Sequence, residues 1–133
     1  MKESIVNFRE ALDQIDWSIM PFQFRGFPSG TCGDISDILA EHLYSLGFHP
    51  IDYVCGMLGG ASHAWLEFEG NAIDITADQF PEVSASVLFQ SPKIWHAKYE
   101  VRERRKAGYK HFHGPAVGDI MRVHNAALKI LNA

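Results

Sequence analysis

The fold of this chain is most restricted by residues 51–76, which read IDYVCGMLGGASHAWLEFEGNAIDIT. Three runs rich in β-branched and aromatic residues are separated by the pair Gly59-Gly60 and by a turn about Glu69, Gly70 and Asn71. Connections this short join antiparallel strands. The pattern therefore predicts a meander of strands at 51–58 and 62–68 and a short third strand ending near residue 75.

Helical patterns flank this meander. An apolar stripe at helical spacing predicts a helix over residues 4–15, and Pro115 is suited to begin a last helix. A further helix is expected from Cys32 to about residue 46, with Thr31 as its cap and Gly47 as its stop signal. Short additional strands are expected at 87–89 and 98–101. Helices and an antiparallel meander in 133 residues indicate a single α+β domain spanning 1–133.

The charge of the chain argues against two classes of partner. A formal net charge of -4 disfavours general binding to nucleic acid or to anionic membranes. The basic cluster in VRERRKAGYK, residues 101–110, is interpreted as a solvated surface. The sequence shows no signal peptide and no apolar run of membrane length, so we expect a cytoplasmic protein, with export as an effector left open. Its two cysteines are expected to be free thiols.

Three polar residues stand in positions suited to chemistry. Cys32 begins a helix, where unpaired backbone N–H groups and the helix dipole favour a thiolate. His63 lies in the strand SHAWLEF and Asp74 in the next strand, AIDIT. A short hairpin between these strands brings His63 and Asp74 together on one face. We therefore expect a relay in which Cys32 is the nucleophile, His63 the base and Asp74 the group that orients the base.

Other residues are candidates for the remaining parts of such a site. Gln23, in the loop before Cys32, is the best side-chain candidate for an oxyanion donor beside the Cys32 backbone N–H. Either Trp65 or the aromatic residues of the loop, Trp17, Phe22 and Phe24, are expected to shield the cleft from water. Gln79 and Asp78, in TADQF, are expected either to shape the floor of the cleft or to form a capped turn before Pro81.

These motifs resemble those of the papain-like and transglutaminase-like superfamily of cysteine enzymes. GTCGD is similar to the glycine-flanked nucleophile loop, and SHAWLEFEGNAIDITADQF is similar to a His-Ala-Trp strand followed by a hairpin and an Asp-x-Thr strand. The resemblance covers residues 30–80. It implies a nucleophile helix packed on a small antiparallel sheet, with nucleophile, base and third member at Cys32, His63 and Asp74.

The resemblance also implies a class of reaction. Its members form a thioester from an amide or ester carbonyl, and include thiol proteases, amidases, glutamine deamidases and acyl-transfer enzymes. We expect a cysteine hydrolase or acyltransferase acting on a protein or peptide. Two alternatives stay open: a non-catalytic binding module that retains the fold, and a deamidase of the toxin or effector type. The sequence specifies neither the substrate nor the oligomeric state.

A metal site is the less favoured interpretation of the same residues. Cys32, His63 and Asp74 carry the donor types that zinc binds. However, no C-x-x-C or H-E-x-x-H pair is present, so we expect no metal and no other cofactor. Cys55, in the apolar run YVCGML, and His124, on the apolar face of the last helix, are interpreted as packing residues.

Overall fold

A computed structural model describes all of residues 1–133. Three helices and five strands follow one another in an α+β arrangement. The helices are α1 (Lys2–Asp13), α2 (Cys32–Ser45) and α3 (Ala116–Leu131), and the strands are β1 (Asp52–Leu58), β2 (Ala61–Phe68), β3 (Asn71–Asp74), β4 (Leu88–Gln90) and β5 (Glu100–Lys106). Short 3-10 turns occupy Trp17–Ile19, Phe22–Phe24, Ala77–Gln79 and Trp95–Lys98.

The five strands form one antiparallel sheet in the order β4-β3-β2-β1-β5. The meander predicted from the sequence is its centre. In the β2–β3 hairpin Phe68 pairs with Asn71, so the turn consists of Glu69 and Gly70, whose φ angles are 48° and 79°. Positive φ at both central residues is the twist that suits a two-residue hairpin. This tight turn fixes which residues of β2 and β3 face each other.

The two faces of the sheet carry different clusters. One face packs with the helices around 22 buried apolar residues, among them Phe8, Leu39 and Leu66. The other face carries a small cluster of Val54, Trp65, Ala72 and Tyr99, which Trp95 helps to cover. Because side chains alternate along a strand, His63 lies on the same face as Trp65. The candidate base is therefore placed on the smaller, aromatic side of the sheet.

Helix α2 ends as the sequence predicts but begins differently. Gly47 has a φ of 94°, and the N–H of Phe48 donates to the carbonyl of Leu43, which closes the last turn in a Schellman motif. At the other end, Thr31 makes no capping hydrogen bond, and its hydroxyl donates to the carbonyl of Pro28 instead. The first turn of α2, which carries Cys32, thus keeps its backbone N–H groups free of a side-chain cap.

The basic cluster forms the edge strand β5, which is longer than the short strand predicted there. Its charged side chains are mostly exposed, as interpreted from the sequence, although Arg105 donates to both carboxylate oxygens of the buried Asp37. Charge on an edge strand disfavours pairing with another chain. The three helices are all too short or too polar to cross a membrane.

Buried Arg9 links α1 to the loop that follows β3. Its guanidinium donates to both oxygens of Asp78 and to the carbonyls of Ile75 and Ser86, at 2.7 to 3.1 Å. It also pairs with Asp13, one turn further along α1. A planar group with five donors suits such a multiple contact. This contact holds the loop after Asp74 against the helical layer.

Candidate functional site

His63 and Asp74 are joined by a short hydrogen bond. Nε2 of His63 lies 2.6 Å from Oδ2 of Asp74, and both side chains are essentially inaccessible to solvent. The strand register pairs Leu66 with Ile73, so Asp74 lies opposite Trp65 and diagonally across from His63. The structure therefore brings together the two residues that the sequence placed on neighbouring strands.

A second imidazole binds the same carboxylate oxygen. Nε2 of His96, in the turn Trp95–Lys98, lies 2.7 Å from Oδ2 of Asp74. The other oxygen, Oδ1, accepts from the backbone N–H of Thr76 at 3.0 Å and from its hydroxyl at 3.4 Å. Asp74 is thus the acceptor in each of its hydrogen bonds, which is the arrangement that stabilises a carboxylate anion.

The pKa values of His63 and Asp74 move in opposite directions. Burial alone would raise the pKa of Asp74, but the hydrogen bonds and charges of His63 and His96 outweigh it and lower that pKa to about 2. Burial alone would lower the pKa of His63, but the hydrogen bond with Asp74, the nearby thiol of Cys32 and the charges of both raise it to about 9. At neutral pH the site therefore holds an imidazolium beside a carboxylate.

Cys32 lies in the first turn of α2 and is half-buried against the main core. Its thiol is near enough to His63 to help raise the pKa of the imidazole, yet no hydrogen bond of standard length and angle joins the two side chains. The hydrogen-bonded cluster is therefore His63–Asp74–His96, and it is not a closed Cys32–His63–Asp74 triad.

Unpartnered buried nitrogens concentrate at this cluster. Four buried side-chain nitrogens in the chain lack a hydrogen-bond partner. Three of them belong to the site, namely Nδ1 of His63, Nδ1 of His96 and Nε1 of Trp95, and the fourth is Nδ1 of His42. Buried polar atoms normally have partners, and those that do not require an explanation. Because Nε2 of His63 is held by Asp74, its free Nδ1 is the nitrogen available to a neighbouring thiol or to a substrate.

Aromatic rings surround His63. Phe80 and Trp95 meet its ring edge-on at centroid distances of 5.1 and 5.8 Å, and Tyr99 lies 5.7 Å away. Gly56 on β1, the strand partner of His63, permits this packing, because a Cβ there would lie 2.7 Å from Cβ of Tyr99. These rings keep water from the ion pair and so strengthen its electrostatic interactions.

The other candidate residues have defined places outside this hydrogen-bonded cluster. Trp65 is buried with its ring centroid 6.0 Å from that of His63, and its Nε1 donates to Glu67. Gln23 is exposed, and its Nε2 donates to Asp119 of α3 at 3.0 Å, so the structure gives it no bond to Cys32. Its oxyanion role stays a prediction.

The segment after Asp74 forms a short 3-10 turn, Ala77–Gln79, which agrees with the turn expected for TADQF, but no side chain caps its start. Nε2 of Gln79 donates to the carbonyl of Thr76, and Asp78 binds Arg9. Both side chains therefore hold the loop that carries the Thr76 donors of Asp74. Trp17 and Phe24, proposed as cleft walls, stack on each other at 6.5 Å in the loop before Cys32.

The structure also shows the surroundings of His124 and Cys55, which were interpreted from the sequence as packing residues. His124 is buried and its Nδ1 is hydrogen-bonded to the hydroxyl of Tyr109, so the prediction of a satisfied core residue is confirmed. Cys55 is half-buried on β1 and packs against the main core. Away from the site, a surface cavity of about 840 Å³ lies at the far end of α2, lined by Tyr44, His49 and Lys106 among others.

His96 and Trp95 are the site residues that the sequence analysis missed. They lie in KIWHAKY, a segment without apolar periodicity that folds into a 3-10 turn. The one local signal is a histidine beside a tryptophan shortly before a strand, which has no specific meaning by itself. Their place in the site results from the chain crossing over the aromatic face of the sheet before β5.

Comparison with known proteins adds no relative: no protein family, no curated protein and no solved structure matches this chain. What can be inferred about its activity therefore rests on the geometry of the cluster.

Proposed function

We propose that the protein is a cysteine enzyme that cleaves or transfers an acyl group from an amide in a protein or peptide. The observation that carries the proposal is the state of His63. Buried Asp74 holds its Nε2, its Nδ1 has no partner, and the half-buried thiol of Cys32 helps to raise its pKa. A protonated imidazole held in this way can stabilise a thiolate and give its proton to a leaving group.

The proposed reaction has two steps. The sulfur of Cys32 attacks the carbonyl carbon of the amide, the C–N bond breaks, and the leaving amine takes its proton from Nδ1 of His63. Water or an acceptor amine then attacks the thioester carbon and loses its proton to His63. The C–S bond breaks, the acyl group leaves, and the pair of Cys32 sulfur and protonated His63 is restored. Asp74 keeps the imidazole oriented and stays anionic throughout.

The environment of the pair supports this assignment. The thiol begins an α-helix whose first turn has no side-chain cap, so its N–H groups and dipole are available to a negative charge. The first of these groups is also placed to bind an oxyanion on a substrate attached to Cys32. Cys32 is partly exposed, whereas the side chains of His63 and Asp74 are closed to solvent.

The proposal is tested by the rate at which iodoacetamide alkylates each thiol, measured by peptide mapping at pH 7. Cys55 is the internal control, because burial raises the pKa of its thiol and it is half-buried like Cys32. We expect Cys32 to react on the order of ten times faster than Cys55, and His63→Ala to remove this difference. The same variant should lower acyl transfer from an activated ester to Cys32 by about 100-fold.

Equal alkylation rates for the two cysteines, with no effect of His63→Ala in a folded protein, would reject the enzyme assignment and favour the non-catalytic binding module. Acylation of Cys32 without turnover of amide substrates would narrow the activity to acyl transfer. An effector deamidase predicts release of ammonia from glutamine side chains of a partner protein, which an ammonia assay on candidate proteins detects.

A metal site is a second candidate, and one observation favours it. One ligand atom from each of His63, Asp74 and His96 lies within 4.8 Å of the other two, and all three residues are buried. The two N···O distances of 2.6 and 2.7 Å are hydrogen-bond lengths, however, whereas ligands on a tetrahedral zinc ion stand about 3.3 Å apart. Zinc titration followed by calorimetry separates the two: stoichiometric binding abolished by His96→Ala would favour the metal.

A further inference from the structure

His96 shares the carboxylate of Asp74 with His63. Its Nε2 lies 2.7 Å from Oδ2, the same oxygen that accepts from His63, and its side chain is fully buried. The rings of Trp65 and Trp95 pack against it at centroid distances of 4.6 and 4.9 Å. The imidazole is thus held in one orientation by two aromatic side chains, with its donor aimed at Asp74.

We propose that His96 is a positioning residue: by donating its Nε2–H to Oδ2, it fixes the orientation and the hydrogen-bonding capacity of the carboxylate that orients His63. The inference rests on the proposed function, since it concerns the same site. His96 touches no reacting atom in this scheme and acts through Asp74.

The tautomer of His96 follows from its contacts. Asp74 is an anion and can only accept, so Nε2 of His96 must carry the hydrogen, as Nε2 of His63 does. Nδ1 of His96 is buried without a partner, so that nitrogen contributes no second anchor. The single bond to Asp74 is therefore the polar contact that His96 offers the site.

Removing that bond changes the proton affinity of the pair. Each donor to Asp74 stabilises its negative charge and weakens its attraction for the proton shared with His63. With His96 gone, Oδ2 accepts from His63 alone and becomes more basic. The imidazolium of His63 is then held more tightly, and its titration midpoint rises by about one pH unit.

The groups that surround His63 and influence its titration come from several elements of the fold. Cys32 approaches His63 from α2, Asp74 from β3, His96 from the turn Trp95–Lys98 and Tyr99 from the residue before β5. Thr76 reaches only the opposite oxygen of Asp74. Because His96 is the one donor that competes for Oδ2, its loss has an effect that repacking alone does not produce.

The test compares His96→Gln with His96→Phe. The glutamine amide reaches the position of Nε2 and keeps a donor, whereas phenylalanine keeps a ring between Trp65 and Trp95 without a donor. NMR titration of the His63 ring gives the midpoint directly, and the pH profile of Cys32 alkylation gives its chemical consequence. We expect His96→Phe to raise the titration midpoint of His63, and the midpoint of the alkaline limb of the Cys32 alkylation profile, by about one pH unit. His96→Gln should leave both midpoints near those of the native protein.

A folded His96→Phe protein with unchanged midpoints would overturn the inference. If that variant does not fold, His96→Asn replaces it, because the shorter amide cannot reach Oδ2, and it must show the same upward shift. The NMR midpoint of His63 is measured whether or not Cys32 reacts. Failure of the proposed function, seen as no effect of His63→Ala on alkylation, is therefore distinguishable from failure of the role of His96.

Discussion

His63 and Asp74 contact each other diagonally across the adjacent strands β2 and β3. The residue directly opposite Asp74 in the strand register is Trp65, two positions after His63. The hairpin turn at Glu69 and Gly70 sets this register, and a slip of one residue would turn Asp74 to the opposite face of the sheet. The polar pair therefore depends on the turn as much as on the residues that form it.

The charge of Asp74 is expected to control the titration of His63. In Asp74→Asn the opposing charge is lost, burial dominates, and the pKa of His63 should fall from about 9 to below 6.5. The alkaline limb of the Cys32 alkylation profile should move down with it. Glu10→Gln, at an exposed position of α1, is the matched control and should leave the profile unchanged. Equal profiles for both variants would contradict the role of Asp74.

The same pair should make stability depend on pH. Asp74, whose pKa is lowered from 3.8 to about 2, adds stability above pH 3.8, and this stability is lost as the pH falls towards 2. His63, whose pKa is raised to about 9, adds stability below 6.5 that is lost as the pH rises through 9. Urea unfolding should therefore show the largest advantage over Asp74→Asn between pH 4 and 6, at most about 3 kcal/mol. A constant difference at all pH values would be inconsistent with this linkage.

Buried Arg9 should contribute far more to stability than its exposed partner. Arg9→Met leaves Asp78 and two carbonyls without their donor and should cost about 3 kcal/mol in the free energy of unfolding. Asp13→Asn removes only a partner whose side chain is 47% exposed and should cost less than about 0.5 kcal/mol. Denaturant midpoints give both values, and similar losses would show that the loop is held by other contacts.

Gly56 and Gly118 offer a matched pair of substitutions, one beside the site and one on the exposed face of α3. Gly56→Ala places a methyl group 2.7 Å from Cβ of Tyr99 and should destabilise the protein by about 1–3 kcal/mol while slowing Cys32 alkylation. Gly118→Ala adds a methyl group on the exposed face of α3, where nothing lies within 4 Å, and should stabilise by about 0.5–1 kcal/mol. Thermal unfolding measures both, and a tolerated Gly56→Ala would mean that Tyr99 can move aside.

The centre of the fold could be predicted because local chemistry determines it. Gly59 and Gly60 form the two-residue turn between β1 and β2, and Gly70 provides a positive φ in the turn between β2 and β3. The runs rich in apolar residues between these turns are typical of buried strands. The neighbouring positions of His63 and Asp74 follow from those turns. Gly47 likewise marks the end of α2 through its left-handed conformation.

Elements held by distant contacts could not be predicted in the same way. Strand β5 is almost entirely exposed and charged, so it lacks the alternation by which a strand is recognised, and its pairing with β1 defines it. His96 reaches Asp74 from 22 positions away through a turn without periodicity. Arg9 lies within an otherwise apolar stripe of α1, and its partners Ile75 and Asp78 are more than 60 residues further along the chain.

The spread of the site along the chain has a consequence during synthesis. Cys32 leaves the ribosome first, on a helix that has no sheet to pack on, and its imidazole and carboxylate partners follow only with β2 and β3. The turn that carries His96 and the strand that completes the sheet come later still. The nascent polypeptide therefore exposes Cys32 without its partners, and the reactivity proposed for this residue arises only after β3 and the turn that carries His96 have been made.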